Sequence, residues 1–184
     1  MTAGKPYRRM LLDVQAPAIL SLKALIQTQS KQTLANWCLD EAQEHLLPLW
    51  QQAFPEDGRP LEAIRSARAW LRGEAKLPQV KPVILQAHAA AREAEGQPAA
   101  QAAARAIGQC ASTIHSARHC LGLALYGALA LAYARLGQDV PWEQLEQYAL
   151  QECARMEMTL RQRSVADETV PLHAPAHRPA ELDS

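Results

Sequence analysis

The sequence lacks net charge. Lys plus Arg and Asp plus Glu each number 19, so no field of one sign would draw in nucleic acid or an anionic membrane, and neither is expected as a partner. An apolar run of bilayer length is also missing. From Cys120 to Ala134 no residue is charged, but these 15 residues fall short of the roughly 20 that a membrane span needs. The first residues, Met1 to Arg9, lead into a mixed stretch rather than an apolar signal core, so a cytoplasmic protein is expected. Paired-cysteine motifs are absent: Cys38, Cys110, Cys120 and Cys153 stand singly in helical patterns and are read as reduced core thiols. Cys110 and Cys120 would lie about 15 Å apart along a continuous helix, too far to bridge unless the helix breaks. Strand alternation, Gly-rich phosphate loops and nucleophile motifs are missing too. Nothing therefore asks for an enzyme, and no cofactor is expected.

What is present is helix. Apolar residues make up 48% of 184, enough for one domain that buries roughly 70% of its unfolded surface. The periodicity predicts an all-α, single-domain bundle of about six helices around a central apolar helix. Residues 1–14 read as a flexible N-terminal arm, 15–163 as the helical domain and 164–184 as a disordered Pro-rich tail. A short helix opens at Pro17, and Ser30 can cap the next, which runs to about Phe54 with a kink at Pro48. The turn Pro55-Glu-Asp-Gly-Arg-Pro60 starts a helix to Arg72, closed by Gly73. Another helix follows Lys76–Pro82 and ends near Glu95. The last runs from about Pro141 to Arg163, with Leu145, Ala149, Cys153, Met156 and Leu160 as its buried stripe.

Between these lies an Ala-rich pattern from Pro98 to Arg135. Unbroken, it would be about 57 Å long. A compact domain of this size has a radius of gyration near 16 Å, so a break is expected near Thr113-Ile-His-Ser116, with Gly108 as the alternative hinge. The stretch from Ile107 to Tyr133 is read as the centre of the fold. Gly122 and Gly127 cost about 1 kcal/mol each against Ala in a helix, which points to close approach of a neighbouring helix.

One polar line stands out there. On a continuous helix Gly108, Ser112, His115, His119, Gly122, Tyr126 and Tyr133 recur every three or four residues. His115 and His119 at i and i+4 could hold a metal if His88 supplied a third ligand. The same histidines, with Arg92 one turn from His88, could instead bind a partner or small ligand, or fix helix register as hydrogen-bonded core groups. Whether a metal is taken stays open at this level. Asp40 with Glu44, and Glu41 with His45, have acid/base spacing, but i,i+4 charges usually form a solvated face. Arg65, Arg68 and Arg72 form a basic stripe with the same ordinary reading. His173 and His177 in the tail are given no role.

Several motifs carry a family likeness. Leu34-Ala-Asn-Trp37-Cys38 precedes Leu47-Pro48; Asp57-Gly-Arg-Pro60 precedes Ala67-Arg-Ala-Trp70 and Arg72-Gly73. Ala87-His-Ala-Ala-Ala-Arg92-Glu-Ala94, Ala102-Ala-Ala-Arg105-Ala106, Thr113-Ile-His115, His119-Cys-Leu-Gly122 and Tyr126 complete the set. Over about residues 18–160 this pattern resembles the small all-helical immunity proteins of bacterial polymorphic-toxin systems. The resemblance implies a protein that neutralises a cognate toxin by stoichiometric binding, without chemistry of its own. It carries no catalytic residues over. His88, Arg92, His115, His119 and Tyr126 are thus candidate binding residues on the reading above, and a homodimer is a second partner to test. The neutral charge departs from the acidity expected of an inhibitor of a basic nuclease, which leaves the toxin class open.

Overall fold

The computed structural model describes residues 7–165 apart from 12, together with 168. Its helices form where the apolar periodicity places them: α1 (Pro17–Ile26), α2 (31–53), α3 (Arg59–Leu71), α4 (Leu77–Glu93), α5 (Pro98–Ser112), α6 (Ala117–Leu136) and α7 (Trp142–Arg163). Among the described residues there is no strand, so the fold is the all-α single domain expected. Seven helices are described, and the Ala-rich pattern breaks at 113–116, between α5 and α6, where a break is expected.

Local chemistry accounts for the boundaries. The Ser30 hydroxyl accepts the Thr33 amide at 3.1 Å and caps α2. Gly73, Gly96 and Gly137 close α3, α4 and α6 with φ near +80°, a region that costs a residue with a Cβ. Pro48 lacks an N–H and its ring crowds the Glu44 carbonyl; α2 answers with a π-turn over Ala42–Leu46 and resumes α-helical geometry at Leu47. Pro82 acts differently from expectation. The helix starts at Leu77, and Pro82 sits inside it, where the missing bond orphans only the carbonyl of Pro78, near the helix start.

The helix at the centre is α5, one element earlier than the uncharged run points to. Of its 15 residues, 11 are buried, among them Ala100, Ala103, Ala104, Ala106, Ile107 and Cys110. Alanine on nearly every side lets α2, α3, α4 and α6 all close on it. By length and composition α6 could cross a bilayer. Its apolar surface is instead used on protein neighbours: Leu123, Ala124, Ala128 and Leu129 are fully enclosed, while Leu121, Leu125 and Leu131 remain half-covered. Gly127 of α6 faces Leu46 of α2, where an added Cβ would stand 3.2 Å from the leucine Cδ1. The expected close approach at Gly127 is therefore real. Outside this layer, α7 packs on α1 and α6 with the stripe Leu145, Ala149, Cys153, Met156 and Leu160.

At both chain ends the described residues make contacts with the helices. Leu11 is fully buried and its N–H donates to the Leu125 carbonyl at 2.9 Å, within a second π-turn at Leu123–Gly127. The Tyr133 hydroxyl donates to the Arg8 carbonyl, and Tyr7 joins Gln101 to the Gly96 amide. Glu168 reaches back to α2, accepting the Ser30 amide and the hydroxyls of Ser30 and Thr33 at 2.6–2.9 Å. A carboxylate there suits the positive end of the helix. The tail beyond, with His173 and His177, lies outside the described residues.

Charged groups expected on solvated faces are also committed. Glu41 is buried and takes both the Arg155 guanidinium and the Thr159 hydroxyl, joining α2 to α7. The indole of fully buried Trp37 donates to Thr159 beside it. Arg68 and Arg163 meet at Asp40. These pairs are structural, and His45 stands only at the edge of the Glu41 network, 3.9 Å away.

The break between α5 and α6 brings Cys110 and Cys120 beside Cys38, whose Sγ lies 3.8 Å from the Cys120 carbonyl. All four cysteines are free and fully buried. Burial pushes the Cys38 thiol well up, reinforced by Cys110 and Cys120, and lifts Cys153 to about 12. The native protein should therefore be inert to an aromatic disulfide reagent at neutral pH and release four equivalents on denaturation. Rapid reaction of any thiol in the native state would contradict this packing.

Candidate functional site

The histidine set is assembled from three elements, and glycine makes the assembly possible. His88, on α4, lies flat against Gly108 of α5: a Cβ added at Gly108 would stand 2.5 Å from the imidazole Cε1. The next residue, Gln109, runs its side chain over Gly122 of α6, where a Cβ would stand 2.4 Å from the Gln109 Cβ. Gln109 Oε1 accepts from His119 Nδ1 at 2.8 Å, so His119 carries its proton on that nitrogen. The His119 ring then meets His115 edge-on, with centroids 5.2 Å apart.

The polar line read from the sequence is thus broken and rejoined. Gly108 and Ser112 lie on α5, His115 in the connecting turn and His119 in the 3-10 turn Ala117–Cys120 that opens α6. Ser112 bonds back to the Gly108 carbonyl. Ser116 makes no side-chain cap and offers its carbonyl to the His119 amide. His88 joins the others only through Gly108 and Gln109. Arg92, one turn along α4, is exposed. Tyr126 is half-buried in the second π-turn, and no hydrogen bond or ring contact ties it to the histidines among the described residues. Tyr133 belongs to the arm-docking contacts. Sequence reasoning missed Gln109, the residue that bridges the two helices; only the glycine opposite it hinted at a close neighbour.

All three imidazoles are neutral at pH 7. His88 is held down to about 4, first by burial and then by the charges of Arg105, His119 and Arg92. Burial also lowers His115, with His119, Lys81 and Lys31 adding to it. His119 is lowered by burial and by Arg118. The Nδ1 atoms of His88 and His115 are buried and have no hydrogen-bond partner. Among the described residues no three His, Cys, Asp or Glu side chains group to hold a metal ion. The shared zinc site is therefore not assembled from His88, His115 and His119. A hollow of about 360 Å³ elsewhere, lined by Leu49, Gln52, Ala53, Gln97, Ala99, Ala100 and Ala134, offers no titratable group.

Comparison with known families decides the affiliation. Residues 24–159, about three quarters of the chain, match the family model described as "Imm-5 like putative immunity protein". The chain belongs to this family. No curated protein and no solved structure matches it. The match spans α2 to α6 and nearly all of α7. In this Imm-5-like chain the histidine set therefore lies wholly inside the family's region, whereas the docked N-terminal arm and Glu168 lie outside it.

Two measurements test this account of the site. The unfolded chain takes up protons on histidine below about pH 6.5, whereas His88 in the fold resists until about 4. Stability is thus lost as pH falls from 7 towards 5, where His88 alone should account for on the order of 1–2 kcal/mol. Urea unfolding at the two pH values should show the loss, and His88→Gln should shrink it. An unchanged slope in that variant would refute the assignment. Separately, Gly108→Ala should destabilise by about 1–2 kcal/mol through the clash with the His88 ring. In a His88→Ala background the same change should become neutral or stabilising, because the helix gains about 1 kcal/mol of propensity.

Proposed function

We propose that this chain is a cytoplasmic bacterial immunity protein that binds a cognate polymorphic toxin one-to-one and blocks it without chemistry of its own. The observation that carries the reading is the family match over residues 24–159. Two features of the molecule support it. The polar residues singled out by sequence are used in holding helices together, with His119 bonded to Gln109 and His88 laid on Gly108. The buried free thiols suit a reducing compartment. A rigid helical body of this kind acts by presenting a preformed surface, which lowers the ordering cost of association.

Co-expression with toxins encoded by adjacent genes provides the test. One toxin should lose its growth-arresting effect and co-purify as an equimolar complex of nanomolar affinity. If no such toxin is neutralised and none binds, the reading is wrong.

A further inference from the structure

The charges of this neutral protein are unevenly satisfied. Eight described arginines, from Arg9 to Arg163, each hold a carboxylate in an ion pair. The basic stripe most visible in the sequence is among them: Arg65 pairs with Glu62, Arg68 with Asp40 and Arg72 with Glu74. Among the described residues Arg8, Arg92, Arg105, Arg118 and Arg135 have no such partner, and nor do Lys23, Lys31, Lys76 and Lys81.

Four of these, Lys81, Arg92, Arg105 and Arg118, gather around the histidine set. On α4, Lys81, Leu85, His88 and Arg92 follow a spacing of four, three and four, which sets them in one stripe. The stripe one residue earlier, Val80, Ile84, Ala87 and Ala91, about 100° round the helix, is buried. Arg105 is one of the few α5 residues not fully covered. It lies close enough to His88 for its charge to act on that ring, as do Arg92 and His119. Lys81 acts in the same way on His115, and Arg118 on His119. At the middle of the stripe, Leu85 is 62% exposed, the most of any large apolar side chain described.

We propose that the face formed by Lys81, Leu85, His88, Arg92, Arg105 and Arg118 is an interaction surface that receives an acidic segment of a protein partner. Like charges crowded on one face repel, and a bound carboxylate relieves that repulsion while taking up donors the fold leaves idle. The exposed leucine specifies the partner further. A phosphate backbone has no use for it, but a peptide in which acids flank an apolar residue fills both needs. The zero net charge argues the same way, since it supplies no general attraction for nucleic acid. The identity of the partner as the toxin rests on the function proposed above; the chemistry of the face does not.

The test has two arms. In the first, the intact protein is titrated with a fluorescent peptide of glutamate pairs alternating with leucine, with its lysine counterpart and with an oligothymidylate of similar length. The acidic peptide should bind at low salt, move the imidazole NMR signals of His88, His115 and His119, and weaken steeply as salt rises. Combined Lys81→Glu, Arg92→Glu and Arg118→Glu, all exposed positions, should keep the circular dichroism and melting curve and lower affinity about tenfold or more. Arg161→Glu, on α7, should change it little. Preference for the lysine peptide or the oligothymidylate, or signal changes away from these histidines, would overturn the proposal. In the second arm, the triple variant should lose protection against whichever toxin the wild type neutralises. Full protection by the triple variant would separate this face from toxin binding, whereas absence of any neutralised toxin would count against the immunity function and leave the peptide result standing.

Discussion

Everything else in the molecule depends on a helix in which seven of fifteen residues are alanine being buried along most of its surface. A methyl side chain keeps the spacing between helix axes short, so four helices can lie on α5 at once. Burying alanine gives little per residue, and the larger apolar area comes from the surrounding ring, from Trp37, Leu39, Leu46, Ile64 and Leu123, each essentially inaccessible. Where even a methyl group would be too much, glycine appears. Gly108 admits the His88 ring and Gly122 admits Gln109. The positions that look like a functional polar line in the sequence are thus, first, the places where helices come closest.

This has a consequence for the electrostatics. A core built of small side chains leaves its polar groups near the seams between helices, neither fully wet nor fully bonded. His88 and His115 each keep one buried nitrogen without a partner, and burial holds both in the neutral form. Around the same seams the molecule keeps cations it does not pair, while eight other arginines each hold an acid. Membership of the Imm-5-like family gives this asymmetry a use. On the binding function proposed above, an unsatisfied part of the surface is what a partner would take up.

The sequence by itself determined the helices. Apolar spacing, proline and glycine gave α1, α2, α3 and α7 to within a residue or two, including the buried stripe of α7, because these signals act over one or two turns. It also determined that the Pro98–Arg135 pattern must break, and where, because a rod of that length cannot fit a domain of this size. The family likeness was legible for the same reason: its motifs are short and contiguous.

Only the tertiary structure decided which helix is central, and whether each polar residue has a partner. Composition favoured the Leu-rich run, but centrality depends on how many neighbours can approach, which alanine allows and leucine limits. Arg68 and Arg92 look alike in the sequence, yet one meets Asp40 across a helix interface and the other holds no carboxylate in an ion pair among the described residues. Glu41, spaced like a surface acid, is buried against Arg155, more than a hundred residues along the chain. Such pairings join residues far apart in sequence, and periodicity, being a local quantity, holds no information about them.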